Sequence, residues 1–238
     1  MTAIDIGRAL VALVAERAAA AARRGAFLVG LTGGVAVGKS SLARAVADGL
    51  ARAEPGLPVE VVATDGFLWP NAELAKTGLA ARKGFPETYD LEAFHRFLGD
   101  LSEGRAGVSP VYSHITYDIV PGETRRVPAA GVVIVEGVNV LQTAEARARL
   151  DLALYLDADP EHVKVWYLRR LDEIVARQPE SFIAQIADPV RRAALVEAAW
   201  AQINLVNLRD HIAPTAAHAD VVICKAADHA LAEMSIRR

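Results

Sequence analysis

Eight consecutive residues of this chain have the types and spacing needed to hold a row of phosphate groups. They are Gly33-Gly34-Val35-Ala36-Val37-Gly38-Lys39-Ser40, and they fill the pattern G-x-x-x-x-G-K-[S/T]. Glycines let the backbone turn its N–H groups inward, and the positive end of a following helix adds to that field. Lys39 is expected to reach the β- and γ-phosphates, and the Ser40 hydroxyl to bind Mg²⁺. The stretch therefore predicts a triphosphate site, against the alternative of a glycine-rich turn before a core helix.

The segments on either side of this loop have the patterns of a strand and a helix. An apolar run from Phe27 to Leu31 precedes it, and the stretch from Ser41 to Leu50 follows it with apolar residues at helical spacing. Arg44 lies one helical turn beyond the loop. Strand, loop and helix are therefore expected in the order that phosphate binding requires.

The rest of the chain alternates between short apolar runs and helical segments. The runs that predict buried strands are Val59–Ala63, Val132–Val135, Leu152–Leu156 and Val221–Cys224. Two long helices are predicted, one capped by Asp159 with Pro160 behind it and ending near Arg177, the other from Pro189 to about His211. Alternation of this kind predicts a three-layer α/β fold with a mostly parallel sheet and helices on both faces.

Two acidic residues follow predicted strands at their carboxyl ends, where ligands bind in such sheets. Asp65 follows the strand ending at Ala63, and a carboxylate there could position an attacking hydroxyl and accept its proton. Asp65 with Gly66 is equally typical of a turn. Glu136 follows another strand and could hold Mg²⁺ directly or through water, or could simply be solvated.

A pair of arginines in the first long helix, Arg169 and Arg170, could stabilise charge on a transferring phosphoryl group, although such a pair is more often solvated. The six histidines and one cysteine show no zinc-ligand spacing, so Mg²⁺ bound with the nucleotide is the metal expected. The Asn-Lys-x-Asp element usual in guanine-specific switches is absent from the sequence. ATP is therefore the expected nucleotide.

Length and composition indicate one α/β domain over residues 1–238, with an amphipathic helix in residues 1–25 packed on it. A hydrophobic content of 53% with a net charge of −3 supplies a core and gives no sign of a nucleic-acid partner. No apolar run approaches the length of a membrane span. The single cysteine, Cys224, fits a reducing compartment, and a cytoplasmic protein is expected.

Several longer motifs resemble those of the bacterial type I pantothenate kinases. In order along the chain they run from Thr64 to Asn71, Lys83 to Asp90, Pro110 to Asp118, Glu136 to Gln142, Trp166 to Arg170, Ile203 to Leu208 and Asp228 to Ala230. The likeness covers almost everything from the phosphate loop to the carboxyl terminus. It implies a P-loop kinase fold and transfer of the ATP γ-phosphate to the hydroxyl of pantothenate, the first step of coenzyme A synthesis.

The resemblance also implies roles for individual residues. Lys39 and Ser40 would bind phosphate and Mg²⁺, Asp65 would be the base, and Arg170 would stabilise the transferred charge. His229 would lie near the adenine, and Arg44 matches a position linked to coenzyme A phosphate binding. The pantothenate pocket would be lined by Tyr112, His114, Tyr167 and Asn204. Coenzyme A as a feedback inhibitor and a homodimer are implied as well.

One region departs from the family pattern. Positions where the family carries an aromatic cluster over the substrate are aliphatic here, namely Leu171, Ile174, Ile183 and Ile186. Because such a lid shapes the pocket, a related kinase acting on a nucleoside, sugar or vitamin analogue remains an alternative. A nucleotide- or coenzyme A-binding protein without catalysis is a third, which the combination of Lys39, Ser40, Asp65 and Arg170 disfavours.

Overall fold

The computed structural model describes residues 2–22 and 24–237 and is built around a six-stranded sheet. The strands of the described chain are β1 (Phe27–Gly33), β2 (Val59–Ala63), β3 (Gly107–Ser113), β4 (Asp118–Val127), β5 (Val132–Glu136), β6 (Leu152–Ala158), β7 (Val221–Lys225) and β8 (Leu231–Ile236). The main sheet has the order β2-β5-β1-β6-β7-β8, and all neighbours are parallel except β7 and β8. The predicted mostly parallel α/β architecture is confirmed.

Helices connect the strands and cover both faces of the sheet. Their bounds are α1 (Ala3–Ala20), α2 (Lys39–Ala53), α3 (Asn71–Lys76), α4 (Leu91–Ser102), α5 (Ala144–Arg149), α6 (Pro160–Arg177), α7 (Pro189–Ala199) and α8 (Leu205–Asn207). The predicted cap of α6 is present, because the Asp159 carboxylate accepts a hydrogen bond from the Glu161 N–H at 2.8 Å. Among the described residues, no helix combines the length and apolarity that a membrane crossing requires.

The alternation of side chains along the strands divides the core into two clusters. Val132 and Ile134 of β5 point to the cluster shared with α1, α2 and α6, while Val133 and Val135 point to the cluster shared with α4 and α5. Every residue of β1 and β5 is buried, as a parallel strand covered on both faces must be. This core fixes the carboxyl ends of β1, β2 and β5 at one edge, where the predicted site residues follow.

A two-stranded antiparallel hairpin, β3 with β4, stands apart from the main sheet. Residues 121–126 of β4 are exposed on both faces, so the strand has no alternating apolar pattern. The turn between the strands spans residues 114–117 and carries Tyr117 at a φ of +54°. Neither this hairpin nor β8 was predicted from the sequence.

The predicted helix from Pro189 to about His211 is present but not regular. After α7 the chain forms a π turn at Trp200–Asn204, the short helix α8, and a second π turn at Leu208–Ile212, followed by a 3₁₀ turn at Ala213–His218. Each π turn shifts the face that the following residues present and frees backbone groups for other bonds. The His211 carbonyl, for example, accepts a hydrogen bond from Gln142 Nε2 at 3.3 Å.

Candidate active site

The phosphate loop joins the end of β1 directly to the start of α2. Gly38 caps α2 with a φ of +97°, a left-handed conformation that glycine adopts without strain. Ala36 is also left-handed, at +58°, which is uncommon for a residue with a side chain. The loop is thus held in the inward-turned form in which successive N–H groups can face an anion.

Lys39 lies buried inside this loop, with 8% of its surface exposed. Its ammonium donates a hydrogen bond to the Gly34 carbonyl at 2.8 Å. Burial lowers the pKa of Lys39, and the nearby carboxylates of Glu136 and Asp65 oppose that shift. The ammonium is therefore a cation that has already lost most of its hydration, which strengthens its attraction for phosphate oxygens.

Ser40 and Glu136 form the oxygen pair expected of a magnesium site. The Ser40 hydroxyl donates to Glu136 Oε1 at 2.6 Å, and Glu136 ends β5 with 6% of its surface exposed. A hydroxyl and a carboxylate are hard oxygen donors of the kind that Mg²⁺ prefers beside nucleotide phosphates. These two side chains could hold the ion.

Asp65 lies in a 3₁₀ turn that follows β2 without a break, Thr64–Phe67. The preceding residue is fully buried, and its hydroxyl donates to Asn139 Oδ1 at 2.6 Å, which ties the end of β2 to the loop after β5. The charge of Asp65 acts on Lys39 on one side and on Tyr112 on the other, because it contributes to the pKa shifts of both. The carboxylate therefore lies between the phosphate loop and the hairpin.

A cavity of about 810 Å³ opens beside the loop and collects most of the predicted nucleotide residues. Among the residues that line it are Val35, Ala36, Gly38, Lys39, Ser40, Ser41, Arg44, Asp65, His114, Glu136, Arg169, Arg170 and His229. Arg170 also lies near enough to Lys39 to contribute to its lowered pKa. Gly33, Gly34 and Val37 are not among the residues that line the cavity, and Val37 is buried in the core.

At one end of the cavity two aromatic rings are stacked, and a lysine contacts one of them. The rings of Trp166 and His229 are parallel within 28°, with centroids 3.7 Å apart. Lys225 Nζ lies 3.0 Å from His229 Nδ1 and donates to the carbonyl of Val37 at 3.1 Å. Burial first, then the positive charges of Lys225 and Arg169, lower the pKa of His229, while Asp228 opposes them. A flat neutral ring of this kind can stack against a nucleobase.

The second group of predicted site residues, those assigned to the acceptor, consists of two contacting pairs. The rings of Tyr112 and His114 meet edge to face at 5.2 Å. Burial raises the pKa of Tyr167, hydrogen bonding with the nearby Asn204 side chain opposes that shift, and Tyr117 adds to the rise. Of these four predicted residues, only His114 also lines the large cavity.

Two cationic residues were missed by sequence reasoning. Lys225 directly follows the predicted strand ending at Cys224. Its position at the carboxyl end of a strand was the one signal that could have identified it as a candidate site residue. Lys83 lies 5.2 Å from the Tyr112 ring centroid and donates to Asn71 Oδ1 at 2.6 Å and to the Tyr117 carbonyl. It opens one of the family motifs, but nothing in the sequence placed its ammonium beside Tyr112. Burial lowers the pKa of Lys83, and the charges of Asp118 and Asp65 oppose this.

The aliphatic positions after Arg170 do not line the large cavity. Leu171 and Ile183 line a separate groove of about 340 Å³ between α6 and α7. Ile174 and Ile186 are partly exposed and border neither space. The region that departs from the family pattern therefore lies beyond the nucleotide cavity.

Comparisons with known proteins agree with this arrangement. The model of the phosphoribulokinase / uridine kinase family matches residues 28–232. The chain is 40% identical to pantothenate kinase of Mesorhizobium japonicum, over 89% of this chain and 72% of that protein. It is also 40% identical to pantothenate kinase of Brucella ovis, over 89% of this chain and 71% of that protein.

Among solved structures, a protein of Silicibacter sp. TM1040 named as a fructose transport system kinase is similar, with a TM-score of 0.67 at 28% identity. The match covers 85% of this chain and 92% of that one. The family model matches residues 28–232, a range that includes the phosphate loop and Glu136. The chain therefore belongs to the phosphoribulokinase / uridine kinase family, and to the branch of it that contains these pantothenate kinases.

Proposed function

We propose that this protein is an ATP-dependent pantothenate kinase, which transfers the γ-phosphate of ATP to the terminal hydroxyl of pantothenate. One observation carries the proposal: the buried phosphate-loop residue Lys39, the Asp65 carboxylate and His114 line one cavity, and the His114 ring contacts that of Tyr112. The relatives at 40% identity support pantothenate as the acceptor. Residues 1–238 would act as one kinase domain.

Phosphate binding is assigned to the loop and to the cations around it. Lys39 would leave the Gly34 carbonyl for the β- and γ-phosphate oxygens, and the loop N–H groups would bind the remaining oxygens. Ser40 and Glu136 would hold Mg²⁺, which when bound neutralises charge on the phosphates. Trp166 and His229 would bind the adenine face.

Transfer needs a base and a cation at the reacting centre. Asp65 would align the acceptor hydroxyl toward the γ-phosphorus and take its proton as the new O–P bond forms, while the bond from the γ-phosphorus to the β,γ-bridging oxygen breaks and ADP leaves. Arg170 and Lys39 would stabilise charge on the transferred group, and their positions on the lining of the same cavity support their joint action. Positioning and charge stabilisation then account for most of the rate gain.

Acceptor binding is assigned to the second group of residues. Pantothenate offers hydroxyls at one end, an amide in the middle and a carboxylate at the other end. Tyr112, His114, Tyr167 and Asn204 supply hydrogen-bonding side chains beyond the base. The half-buried ammonium of Lys83, which lies 5.2 Å from the Tyr112 ring centroid and feels the charge of Asp65, would add a hydrogen-bond donor near the base.

The test is ADP release by the purified protein with a panel of acceptors at millimolar concentration. Pantothenate should give the highest kcat/KM, and the product should carry phosphate on the terminal hydroxyl. Turnover with other acceptors but none with pantothenate would refute the proposed acceptor.

A sugar is the second candidate acceptor. The similarity to the fructose transport system kinase favours its inclusion. The acceptor panel therefore contains fructose, a nucleoside and glycerate. A protein that binds nucleotide without catalysis is disfavoured, because mere binding would not require a carboxylate at the position of Asp65.

We also propose further properties that the family resemblance implies. Coenzyme A would compete with ATP through Arg44, which lines the cavity. Its inhibition should be weaker than is usual in the family, because Leu171 and Ile183 would hold its tail less firmly than aromatic rings. A homodimer and a cytoplasmic location are proposed from the same resemblance.

A further inference from the structure

The four-residue turn of the β3–β4 hairpin, residues 114–117, carries a cavity residue at one end and a strained residue at the other. His114 lines the nucleotide cavity together with Asp65, and its ring meets that of Tyr112. Tyr117 has a φ of +54°, a left-handed conformation in which a bulky side chain is strained. Strain of this kind persists only where neighbouring groups hold the residue in place. The groups that hold Tyr117 therefore also hold the turn that presents His114.

The hairpin supports part of this turn with its own side chains. Ser113 and Asp118 pair across the base of the turn. The Ser113 hydroxyl accepts hydrogen bonds from the N–H groups of residues 115 and 116, at 3.3 and 3.2 Å. Asp118 Oδ1 accepts a hydrogen bond from the Ile119 N–H at 2.8 Å. These bonds satisfy N–H groups on either side of Tyr117 and do not involve its carbonyl.

Asn71 holds the strained end of the turn from outside the hairpin. Its Nδ2 donates to the Tyr117 carbonyl at 3.1 Å, and its N–H donates to Asp118 Oδ1 at 2.9 Å. Its Oδ1 accepts from the Lys83 ammonium at 2.6 Å, and the same ammonium donates to the Tyr117 carbonyl. Asn71 is the first residue of α3, yet these side-chain bonds run to other segments. Three polar groups of one asparagine therefore join the turn to its neighbours.

The segment that carries Asn71 is itself fixed to the turn that carries Asp65. The Leu68 N–H donates to the Asp65 carbonyl at 3.2 Å. Gly66 lies so close to the hairpin that a side chain there would overlap the Pro110 carbonyl. One short segment, residues 65–71, therefore contacts the hairpin at two points and sets its position relative to Asp65.

Tyr117 also connects the hairpin turn to the second acceptor pair. Burial raises the pKa of Tyr112 and that of Tyr167, and Tyr117 adds to the rise in each case. Tyr112 belongs to the hairpin, whereas Tyr167 belongs to α6. A change in the turn is therefore expected to reach both pairs of residues assigned to the acceptor.

We propose that Asn71 is a positioning residue that holds the hairpin turn, and with it His114, beside Asp65. The inference rests on the proposed function, because it assigns this turn to the acceptor side of the kinase site. Without the Asn71 bonds, Tyr117 can leave its strained conformation, and His114 no longer keeps one position at the cavity. Acceptor binding then weakens, while the phosphate loop, which makes none of these contacts, still binds ATP.

The experiment compares Asn71→Leu and Asn71→Asp with the unmodified protein in steady-state assays. Both variants lose the Nδ2 donor to the Tyr117 carbonyl, whereas only Asn71→Asp keeps an oxygen that can accept from Lys83. Each should raise the KM for pantothenate by about tenfold, the effect of losing one hydrogen bond that orders the site. The values of kcat and of the KM for ATP should each change less than about twofold, because Asp65 and the phosphate loop are untouched.

Two further measurements separate positioning from general support. Gln185→Glu alters an exposed amide whose Nε2 donates to the Glu180 carbonyl at 3.2 Å, and it should leave the kinetic constants unchanged. In a His114→Ala background, Asn71→Leu should add less than about twofold to the acceptor KM, because its effect acts through that side chain.

A rise in the acceptor KM with Asn71→Leu alone would assign the effect to Lys83, and a rise with Asn71→Asp alone would assign it to the added charge. Either result overturns this role. An unchanged acceptor KM in both variants, an equal loss of ATP affinity, or full additivity with His114→Ala overturns it as well.

The acceptor panel on the unmodified protein keeps this test distinct from the test of the proposed function. If another acceptor is turned over and pantothenate is not, the proposed acceptor fails, and the KM for the acceptor that is turned over decides the role of Asn71. Turnover of no acceptor would overturn the proposed function and this role together.

Discussion

Asp65 is the residue on which the assignment of transfer chemistry depends. We expect Asp65→Asn to lower kcat by about 10²–10⁴-fold, the usual contribution of a general base. ATP affinity should change little, since the phosphate loop and the Ser40–Glu136 pair are untouched. Steady-state rates and a nucleotide binding titration measure the two effects separately.

The matched control for this change is Asp48→Asn, at an exposed position on α2 with no role in the site. It should leave kcat unaltered. If Asp65→Asn retained kcat, another group would have to accept the proton. If it lost ATP binding in equal measure, the carboxylate would belong to the nucleotide side.

Lys225 is expected to control the ionisation of His229. Because its ammonium lies 3.0 Å from His229 Nδ1 and helps to lower the pKa of that ring, Lys225→Met should raise the His229 pKa. The KM for ATP should rise as well, since the lysine also binds the phosphate-loop carbonyl of Val37. Titration of the histidine ring protons by NMR measures the first effect.

Arg169→Met serves as a graded comparison for Lys225→Met. Arg169 also lowers the His229 pKa, but by less than Lys225 does, so its removal should give a smaller rise. A His229 pKa that is the same with and without Lys225 would contradict the assigned contact.

Elements differed in how well the sequence predicted them, and burial explains the difference. Parallel strands buried on both faces appear as short apolar runs, and β2 was predicted with its bounds, Val59–Ala63. The exposed strand β4 has no such run, and β8 is an edge strand whose residues are exposed or only partly buried. The π turns at Trp200–Asn204 and Leu208–Ile212 leave no periodic signal, because they replace only single turns of a helix.

The site residues, like the elements, could be predicted only where the sequence carries a local pattern. The residues of the phosphate loop are adjacent in sequence, so their spacing alone indicated their chemistry. Lys83, Lys225 and Asn71 act through contacts between segments far apart in the chain. Such contacts depend on the packing of elements, which a single sequence does not encode as a local pattern.

The hydrogen bond that ties the end of β2 to the loop after β5 can be tested by substitution. Thr64→Val removes the donor to Asn139 Oδ1, and Asn139 Nδ2 is already buried without a partner in the described chain. The free energy of unfolding should fall by about 1–3 kcal/mol. The value of kcat should fall too, because Asp65 is the next residue. Thr64→Ser keeps the hydroxyl and should restore both quantities; equal behaviour of the two variants would refute the bond.

The whole molecule carries a net charge of −3, yet its nucleotide cavity concentrates positive charge. The cationic residues lining it are Lys39, Arg44, Arg169, Arg170 and Lys225, against the carboxylates Asp65, Glu136 and Glu173. A positive cavity in an acidic protein draws a polyanionic nucleotide to one place and disfavours binding of polyanions elsewhere. The buried lysine of the phosphate loop, Lys39, is therefore expected to strengthen nucleotide binding but not to stabilise the ligand-free protein.

The ammonium of Lys39 is buried, and this burial lowers its pKa. ATP with Mg²⁺ at about one hundred times its Kd should stabilise the unmodified protein by about 2.7 kcal/mol. For a chain of this size that raises Tm by about 5 to 10 °C. Lys39→Met should lose this shift, while its ligand-free Tm stays level or rises as the desolvated charge is removed.

Thermal unfolding followed with and without nucleotide measures both quantities in one series. Lys76→Met, which removes an exposed lysine paired with Glu73 on α3, should keep the full shift and so controls for loss of positive charge. A full nucleotide shift in Lys39→Met would mean that the triphosphate binds elsewhere. A marked fall of its ligand-free Tm would mean that the bond to the Gly34 carbonyl outweighs the cost of burying the ammonium, and that the loop is stabilised by the same contact that nucleotide must displace.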